Sequence, residues 1–324
     1  MDLAAEVRAG SRLALARLLT EVENGTEQGK AALDTLFPYT GHAHLIGITG
    51  SPGTGKSSLV NQLARTFRKF SAARVEESNR VGVLAIDPSS PFTGGALLGD
   101  RIRMRDISGD PGIFIRSMAS RGALGGLAHA TAAAAQVLDA AGYNPILIET
   151  VGAGQSEVDI ARLAHTVIVL QSPGSGDDIQ AIKAGILEIA DILVINKADQ
   201  TGVESTEMAL RAMLDLVSPS SRESSGWIPP ILRTVATTGE GIQEVCEAVY
   251  RHQAYLQASG ERKQRDYLRL TSELNCLISD LLVQKWRASL PDGAYHQALE
   301  KIHSRECSPL QAALELLQFS PKKV

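Results

Sequence analysis

One short run of glycines constrains this chain more than any other feature. The run Gly50-Ser-Pro-Gly-Thr-Gly-Lys-Ser57 lies directly after an apolar stretch at 44–49 and directly before a helical pattern at 58–70. A strand, a glycine-rich loop and a helix in this order form the context of a phosphate-binding loop. The glycines let successive backbone N–H groups turn towards a phosphate, and the helix adds the positive end of its dipole. The sequence therefore predicts a phosphate site at the carboxyl end of the first strand.

The residue types within this loop predict how a nucleotide is held. We expect Lys56 to place its charge on the β- and γ-phosphates and the Ser57 hydroxyl to ligate Mg²⁺. The loop as a whole is expected to contribute to nucleotide binding. The predicted binding residues are Gly50, Ser51, Pro52, Gly53, Thr54, Gly55, Lys56, Ser57 and Ser58.

A second motif predicts which base is bound. Asn196-Lys197-Ala-Asp199 follows a continuous apolar run at 191–195, which is typical of a buried parallel strand. The carboxylate of Asp199 can accept from both the ring N–H and the exocyclic amine of guanine, whereas adenine offers an acceptor there. The motif therefore favours guanine. The backbone N–H of Ala236 is a candidate donor to the guanine carbonyl, although the start of a helix explains that segment equally well.

Three acidic residues between these motifs are candidate metal ligands. They are Asp87, Asp100 and Glu149. Asp87 directly follows one predicted strand, and Glu149 is the last residue of another. A hard cation held between phosphates and one or two carboxylates requires such groups near Ser57. Together with Lys56, the three acids are the predicted catalytic residues. A helix or turn cap is the alternative interpretation of any one of them.

Alternating strands and helices predict an α/β fold with a doubly wound, mostly parallel sheet. The expected strands are 44–49, 81–86, 113–116, 145–149, 166–170 and 191–195, and the expected helices are 57–70, 124–141, 179–189 and 203–217.

Helical patterns extend the chain on both sides of this sheet. Ser11 is a predicted N-cap, and leucines at helical spacing follow it. After Ser259 the strand pattern stops, and an amphipathic helix across 270–286 is followed by helices near 294–303 and 308–318. The expected domains are a helical extension at 1–42, a nucleotide-binding domain at 43–259 and a helical arm at 260–324. The arm packs either on its own sheet or against a second subunit.

Composition excludes several classes of protein. The chain has 324 residues, a net charge of −4 and a pI near 6.0, which indicate neither a nucleic-acid nor a membrane surface. The amino terminus lacks a signal-peptide pattern, and no apolar run approaches the length that spans a bilayer. The three cysteines contain no Cys-x-x-Cys pair, which favours free thiols. We expect a cytoplasmic protein that binds neither nucleic acid nor a membrane.

Four motifs together resemble one family. They are Ile48-Thr-Gly-Ser-Pro-Gly-Thr-Gly-Lys-Ser57, Asp87-Pro-Ser-Ser-Pro-Phe-Thr-Gly-Gly-Ala-Leu-Leu-Gly-Asp100-Arg-Ile-Arg-Met104, Glu149-Thr-Val-Gly-Ala-Gly-Gln-Ser-Glu157 and Asn196-Lys-Ala-Asp199. From about residue 46 to residue 241 the chain resembles the MeaB/ArgK/MMAA GTPases, which belong to the SIMIBI class of P-loop NTPases.

The resemblance implies a homodimeric chaperone that binds GTP or GDP with Mg²⁺. It implies that the protein gates adenosylcobalamin delivery to a cobalamin-dependent acyl-CoA mutase and protects that enzyme, with a cobalamin adenosyltransferase as a further partner. It also implies that the C-terminal helices form the dimerisation arm. It also implies that segment 173–183 is a further switch through which the nucleotide state is communicated to the mutase. By their position near strand ends, segments 87–104, 149–157 and 173–183 are the expected mobile elements, with Gln155, Asp177 and Lys183 as the residues expected to take part in this communication.

The expected rate of GTP hydrolysis by the isolated chain is low. Glu149-Thr-Val-Gly152 forms Glu-x-x-Gly, where many GTPases have Asp-x-x-Gly. Fast GTPases often place a water-orienting glutamine directly after this glycine, whereas Ala153 follows Gly152 in this chain. We therefore expect hydrolysis to depend on stimulation by a partner.

Two other functions are weighed against this interpretation. A nickel-delivery GTPase of the same class would show Cys and His clusters, whereas His42 and His44 form the one close pair in the sequence. A P-loop kinase would transfer the phosphate to an acceptor, and the guanine motif argues against it. Detection of free phosphate or of a phosphorylated product separates hydrolysis from transfer.

Overall fold

The described residues form a seven-stranded parallel sheet. The computed structural model describes residues 2–73, 80–87, 107–119, 126–150, 156–174, 187–216 and 226–318. The strands are β1 (Leu45–Gly50), β2 (Val81–Asp87), β3 (Ile113–Ala119), β4 (Ile146–Glu149), β5 (Thr166–Gln171), β6 (Ile192–Asn196) and β7 (Ile231–Thr234). Their order is β3-β2-β4-β1-β5-β6-β7, and every pair is parallel. The predicted doubly wound sheet is confirmed.

Helices cover both faces of the sheet. They are α1 (Leu3–Arg8), α2 (Arg12–Glu23), α3 (Glu27–Leu36), α4 (Lys56–Ala73), α5 (Gly126–Ala140), α6 (Ser156–Leu163), α7 (Val203–Leu216) and α8 (Ile242–Ser259). Helices α4 and α8 contribute apolar side chains to the core on one face, and α1–α3 with α5–α7 contribute to the core on the other. Strands β1, β5 and β6 are buried along their whole length, which explains their continuous apolar sequence.

The predicted strands and helices largely match the observed ones. The sequence patterns did not identify β7, α6 or α8. Strand β7 is short and half-exposed, so its sequence lacks the apolar run that marked the other strands. The predicted helix at 179–189 lies mostly outside the described residues.

The amino-terminal helices belong to the same compact unit as the sheet. Ser11 caps α2 as predicted, with its Oγ accepting from Ala14 N–H at 3.2 Å. Arg12 donates to the carbonyl oxygens of Pro111 and Ile113 at 2.6 and 3.0 Å, and this fastens α2 to the start of β3. The compact unit covers Met1–Arg269, and a second compact unit covers Leu270–Val324.

A long helix begins in the first unit and continues into the second. It is α9 (Glu261–Ser289), and none of its residues is buried. The second unit also contains α10 (Ala294–His303) and α11 (Pro309–Leu317), and Trp286 Nε1 donates to the Leu316 carbonyl at 3.0 Å. The three predicted C-terminal helices are therefore present. Across the described parts of the chain, none of the helices has both the length and the apolar character needed to cross a membrane.

Buried histidines lie at the amino ends of β1 and β5. His44 Nε2 is 2.7 Å from Thr166 Oγ1, and the same hydroxyl is 2.8 Å from Nδ1 of His252. Nδ1 of His165 accepts from the backbone N–H of Leu45 at 2.9 Å, so this ring carries its proton on Nε2. A second proton on His165 would oppose the Leu45 N–H, and the arrangement therefore requires a neutral ring.

The first turns of α9 are fastened to these strand ends by charged side chains. Arg265 donates to both carboxylate oxygens of Asp191 at 2.9 Å, a bidentate geometry. Arg262 donates to the Ala43 carbonyl at 2.8 Å, and Asp266 lies 2.9 Å from Nε2 of His165. The first turns of α9, which we call its root, are therefore part of the first unit.

Burial keeps the histidines of this cluster neutral. It lowers the pKa of His165 and of His252 from the ordinary value of 6.5 to about 4. Burial also lowers the pKa of His44 well below 6.5, and the neighbouring His165 adds to this effect. The unfolded chain therefore binds protons that the folded chain excludes as the pH falls below 6.5.

We predict that the free energy of unfolding decreases as the pH falls from about 6.5 to about 4, by about 1.4 kcal/mol per pH unit for each buried histidine. The His165→Asn variant keeps an acceptor for Leu45 N–H and removes one titrating ring. The slope of its unfolding free energy against pH should therefore be smaller by the contribution of one proton. Urea unfolding at a series of pH values measures both slopes. Equal slopes for the variant and the parent protein would contradict the assignment.

Candidate nucleotide-binding site

The glycine-rich loop connects β1 to α4 as predicted. Gly53 and Gly55 have φ angles of 82° and 94°, a region that favours glycine. Helix α4 begins at Lys56, so the N–H groups of its first turn lie beyond the intrahelical hydrogen-bond pattern and point towards the loop. This geometry is that of an anion site at a helix amino terminus.

The ammonium group of Lys56 lies within this loop. It donates to the carbonyl oxygens of Gly50 and Ser51 at 2.9 and 3.0 Å, and the residue is buried. The two carbonyl contacts fix the position of the positive charge. Ser57 is also buried, whereas Ser58 is exposed.

The side chain of Asn196 joins three loops at the carboxyl edge of the sheet. Its Nδ2 donates to the carbonyl of Thr54, in the glycine-rich loop, at 2.8 Å. Its Oδ1 accepts from Thr234 Oγ1 at 3.1 Å and from Ala236 N–H at 3.0 Å, both in the segment that ends β7. Since Asn196 is itself the last residue of β6, it connects the loops after β1, β6 and β7.

Ala236 lies beside the base motif. Its N–H is engaged by Asn196 in this structure, so a hydrogen bond to a guanine carbonyl requires that N–H to be shared or released. The contribution of Thr234 was not anticipated from the sequence. The signal that identifies it is a hydroxyl residue in the last position of the strand preceding Ala236.

Backbone geometry sets the positions of the two residues that follow Asn196. Lys197 has a φ angle of 60°, an uncommon conformation for a residue with a side chain and one that clusters at functional sites. Ala198 N–H donates to the Thr234 carbonyl at 3.0 Å, which fastens this turn to β7. Asp199 is exposed, so its carboxylate is accessible to a base.

Two glycines of the loop are required by close contacts. A Cβ atom on Gly50 would lie 2.3 Å from the carbonyl oxygen of Leu170, and one on Gly55 would lie 2.3 Å from Nδ2 of Asn196. The glycine-rich loop and the base motif therefore approach each other too closely for any side chain at position 55.

The hydroxyl of Ser57 donates to Oε1 of Glu149 at 2.6 Å in a buried contact. The structure thus brings two of the predicted metal ligands together. Asp87 is the last residue of β2, and its backbone lies at the same carboxyl edge of the sheet. Asp100, Gln155, Asp177 and Lys183 lie outside the described residues.

Comparison with known proteins identifies the family. The family model described as methylmalonyl Co-A mutase-associated GTPase MeaB matches residues 15–290. The chain belongs to this family.

Related proteins agree with this assignment over the full length of the chain. A relative from Pyrococcus abyssi that is described as a GTPase is 47% identical over 317 residues, which cover 98% of this chain and 95% of the relative. GTPase ArgK of Escherichia coli is 34% identical, and the match covers 97% of this chain and 94% of ArgK. The crystal structure of an LAO/AO transport system kinase has a TM-score of 0.65 at 26% identity, and the match covers 98% of this chain and 96% of that one.

We predict that Asn196→Ala weakens GDP binding by about 5- to 150-fold, because it leaves buried donors and acceptors in the loops after β1 and β7 without their partner, at a cost of about 1–3 kcal/mol. Titration calorimetry measures the change. Asn275→Ala removes an exposed asparagine of α9 and serves as the matched control. If Asn196→Ala binds GDP with an affinity within twofold of the parent protein, the role of this side chain in connecting the loops of the site is refuted.

Proposed function

We propose that the chain binds guanine nucleotides with Mg²⁺, hydrolyses GTP slowly, and acts as a chaperone of a cobalamin-dependent acyl-CoA mutase. The observation that carries the nucleotide site is the Asn196 side chain, which joins the glycine-rich loop to the base motif. Membership of a family of mutase-associated GTPases supports both the activity and the partner.

Asp199 determines the choice of base in this proposal. Its exposed carboxylate accepts from the ring N–H and the exocyclic amine of guanine, which adenine does not present in that arrangement. A site built around matching donors rejects an analogue that lacks them, because a carboxylate is then left without partners.

We predict that the parent protein binds GDP far more tightly than ADP, and that Asp199→Asn shifts the preference towards xanthosine diphosphate. The amide can donate to the xanthine carbonyl where the carboxylate could only accept. Competition binding with a fluorescent GDP analogue measures the order of affinities. Asp34→Asn, an exposed aspartate on α3, is the control, and equal affinity of the parent protein for ADP and GDP would exclude this role of Asp199.

The metal and the catalytic residues follow from the Ser57–Glu149 contact. A hydroxyl and a carboxylate are hard oxygen ligands of the kind that Mg²⁺ prefers, and the two groups are in contact where α4 follows the phosphate loop. When bound, Mg²⁺ neutralises charge on the β- and γ-phosphates. Lys56 supplies the fixed positive charge, while Asp87, Asp100 and Glu149 are the acids proposed to orient the metal and the attacking water.

Phosphoryl transfer needs positioning and charge neutralisation more than covalent chemistry. Because Ala153 stands directly after Gly152, the chain lacks a glutamine at the position where many GTPases orient the water. We therefore propose slow hydrolysis by the isolated chain and faster hydrolysis in contact with its partner.

The proposed partner is an adenosylcobalamin-dependent acyl-CoA mutase, and a cobalamin adenosyltransferase is the proposed donor of the cofactor. Segments 87–104, 149–157 and 173–183 each begin at or near the carboxyl end of a strand, beside the phosphate loop. Segments in this position can adopt different conformations with GTP and GDP, and a mutase can distinguish the two states through them. We place this task in the cytoplasm.

We predict that a cognate mutase accelerates GTP hydrolysis, and that Lys183→Ala abolishes this acceleration while GDP affinity stays within about twofold. Phosphate release measured with and without the mutase provides the rates. Lys30→Ala, an exposed lysine on α3, is the matched control, and Lys56→Ala should remove hydrolysis in both conditions. Acceleration by a nickel-enzyme precursor instead of any mutase would favour the metallochaperone alternative.

The same assay tests the kinase alternative, which is relevant because one similar solved structure is described as a transport system kinase. Hydrolysis releases phosphate in an amount equal to the GDP formed. A kinase releases less phosphate than GDP in the presence of its acceptor, and the difference appears in a phosphorylated product. Balanced phosphate and GDP with the mutase present is the expected result.

The helical arm is the proposed dimerisation element. Leu270, Leu274, Ile278 and Leu281 are exposed at helical spacing on α9 and form an apolar stripe. Burial of such a stripe against a second copy removes apolar surface from water.

We predict that the full chain is a dimer at micromolar concentration and that Leu274→Glu combined with Leu281→Glu yields a monomer that still binds GDP, because two charges then face the interface. Light scattering gives the molar mass. The control is Ser279→Glu, which adds a charge on the opposite side of α9. A monomeric parent protein would refute the proposed dimer.

A further inference from the structure

Two buried threonines meet where β1 and β4 end. Thr150 Oγ1 donates to Thr49 Oγ1 at 3.0 Å, and both residues are buried. Thr150 N–H also donates to the Ile48 carbonyl at 3.1 Å, which continues the strand pairing one residue beyond β4. The hydroxyl contact therefore lies between the base of the phosphate loop and the residue that follows Glu149.

The threonine contact and the Ser57–Glu149 contact lie on opposite faces of the sheet. Ile48 and Glu149 are register partners in the β1–β4 pair, and successive side chains along a strand alternate between faces. Glu149 shares a face with α4, which carries Ser57, and the threonines share the other face with α6. The two strand ends are thus bonded through their side chains on one face while they present the carboxylate on the other.

A pair of valines would fill the same volume without burying polar groups. A buried hydroxyl without a partner costs free energy, and a satisfied pair gains only about 0.5–1.5 kcal/mol. Packing alone therefore does not explain two facing threonines at this position. Their contact adds a side-chain hydrogen bond between β1, which leads through the phosphate loop to Ser57, and the end of β4, which carries Glu149.

We propose that Thr49 and Thr150 are positioning residues that hold the Glu149 carboxylate in register with Ser57 and thereby set the affinity of the nucleotide complex for Mg²⁺. The inference rests on the proposed binding of GTP and Mg²⁺. It assigns a role in metal binding to two side chains on the face of the sheet away from the metal ligands.

The test is a Mg²⁺ titration of GTP hydrolysis with the full chain and three variants: Thr150→Val, Thr49→Val and the double variant. Each single variant should raise the half-saturating Mg²⁺ concentration by about threefold to tenfold, the effect of one lost buried hydrogen bond. The double variant should raise the half-saturating Mg²⁺ concentration no further than either single variant does, because the two hydroxyls act as one unit. GDP affinity measured in EDTA should stay within twofold, which a general loss of structure would not allow.

Two further variants serve as controls. Thr150→Ser keeps the hydroxyl and should restore the Mg²⁺ affinity of the parent protein. Thr131→Val removes a buried hydroxyl of α5 that has no hydrogen-bond partner among the described residues, and it should leave Mg²⁺ affinity unchanged.

The outcomes separate this inference from the proposed function. If the parent protein shows Mg²⁺-dependent hydrolysis and both valine variants match it, the positioning role is overturned while the proposed function stands. Additive effects in the double variant overturn the paired action of the two hydroxyls. If the parent protein shows no Mg²⁺-dependent hydrolysis of GTP, the proposed function and this inference are overturned together.

Discussion

The site depends on one side-chain amide. Asn196 is the last residue of β6, and its two polar ends reach the loops that follow β1 and β7. An amide fits this position because it is a donor at one end and an acceptor at the other. An aspartate would oppose the Thr54 carbonyl, and a leucine would leave the polar groups of both loops buried without partners. The close approach also explains Gly55, because any side chain there would collide with Asn196.

The same central strands organise both edges of the sheet. At the carboxyl edge, β1, β4 and β6 end in the phosphate loop, in Glu149 and in Asn196. At the amino edge, β1 and β5 begin beside neutral histidines and the charged side chains that fasten the root of α9. Parallel strands make this separation possible because all their carboxyl ends meet at one edge. The nucleotide site and the first turns of α9 therefore lie at opposite ends of β1.

Much of this arrangement was predictable from local sequence patterns. The phosphate loop, the base motif and the buried strands are recognisable from glycines, from one tetrapeptide and from continuous apolar runs. Local patterns do not predict the contacts of Asn196 with Thr54 and Ala236, or the Thr49–Thr150 pair. Each of these contacts joins residues that are distant in sequence and depends on strand order. Strand β7 was missed for a related reason, since a half-exposed strand at the sheet edge needs no apolar run.

The central claim is that the loops joined by Asn196 form one guanine nucleotide site. A crystal structure of the full chain with GDP and Mg²⁺ tests it most directly. We predict that the diphosphate lies in the loop of Gly50–Ser57, that Asp199 accepts two hydrogen bonds from the guanine base, and that the Asn196–Thr54 contact is retained. Density for the base away from Asp199, or a diphosphate bound outside this loop, would contradict the account.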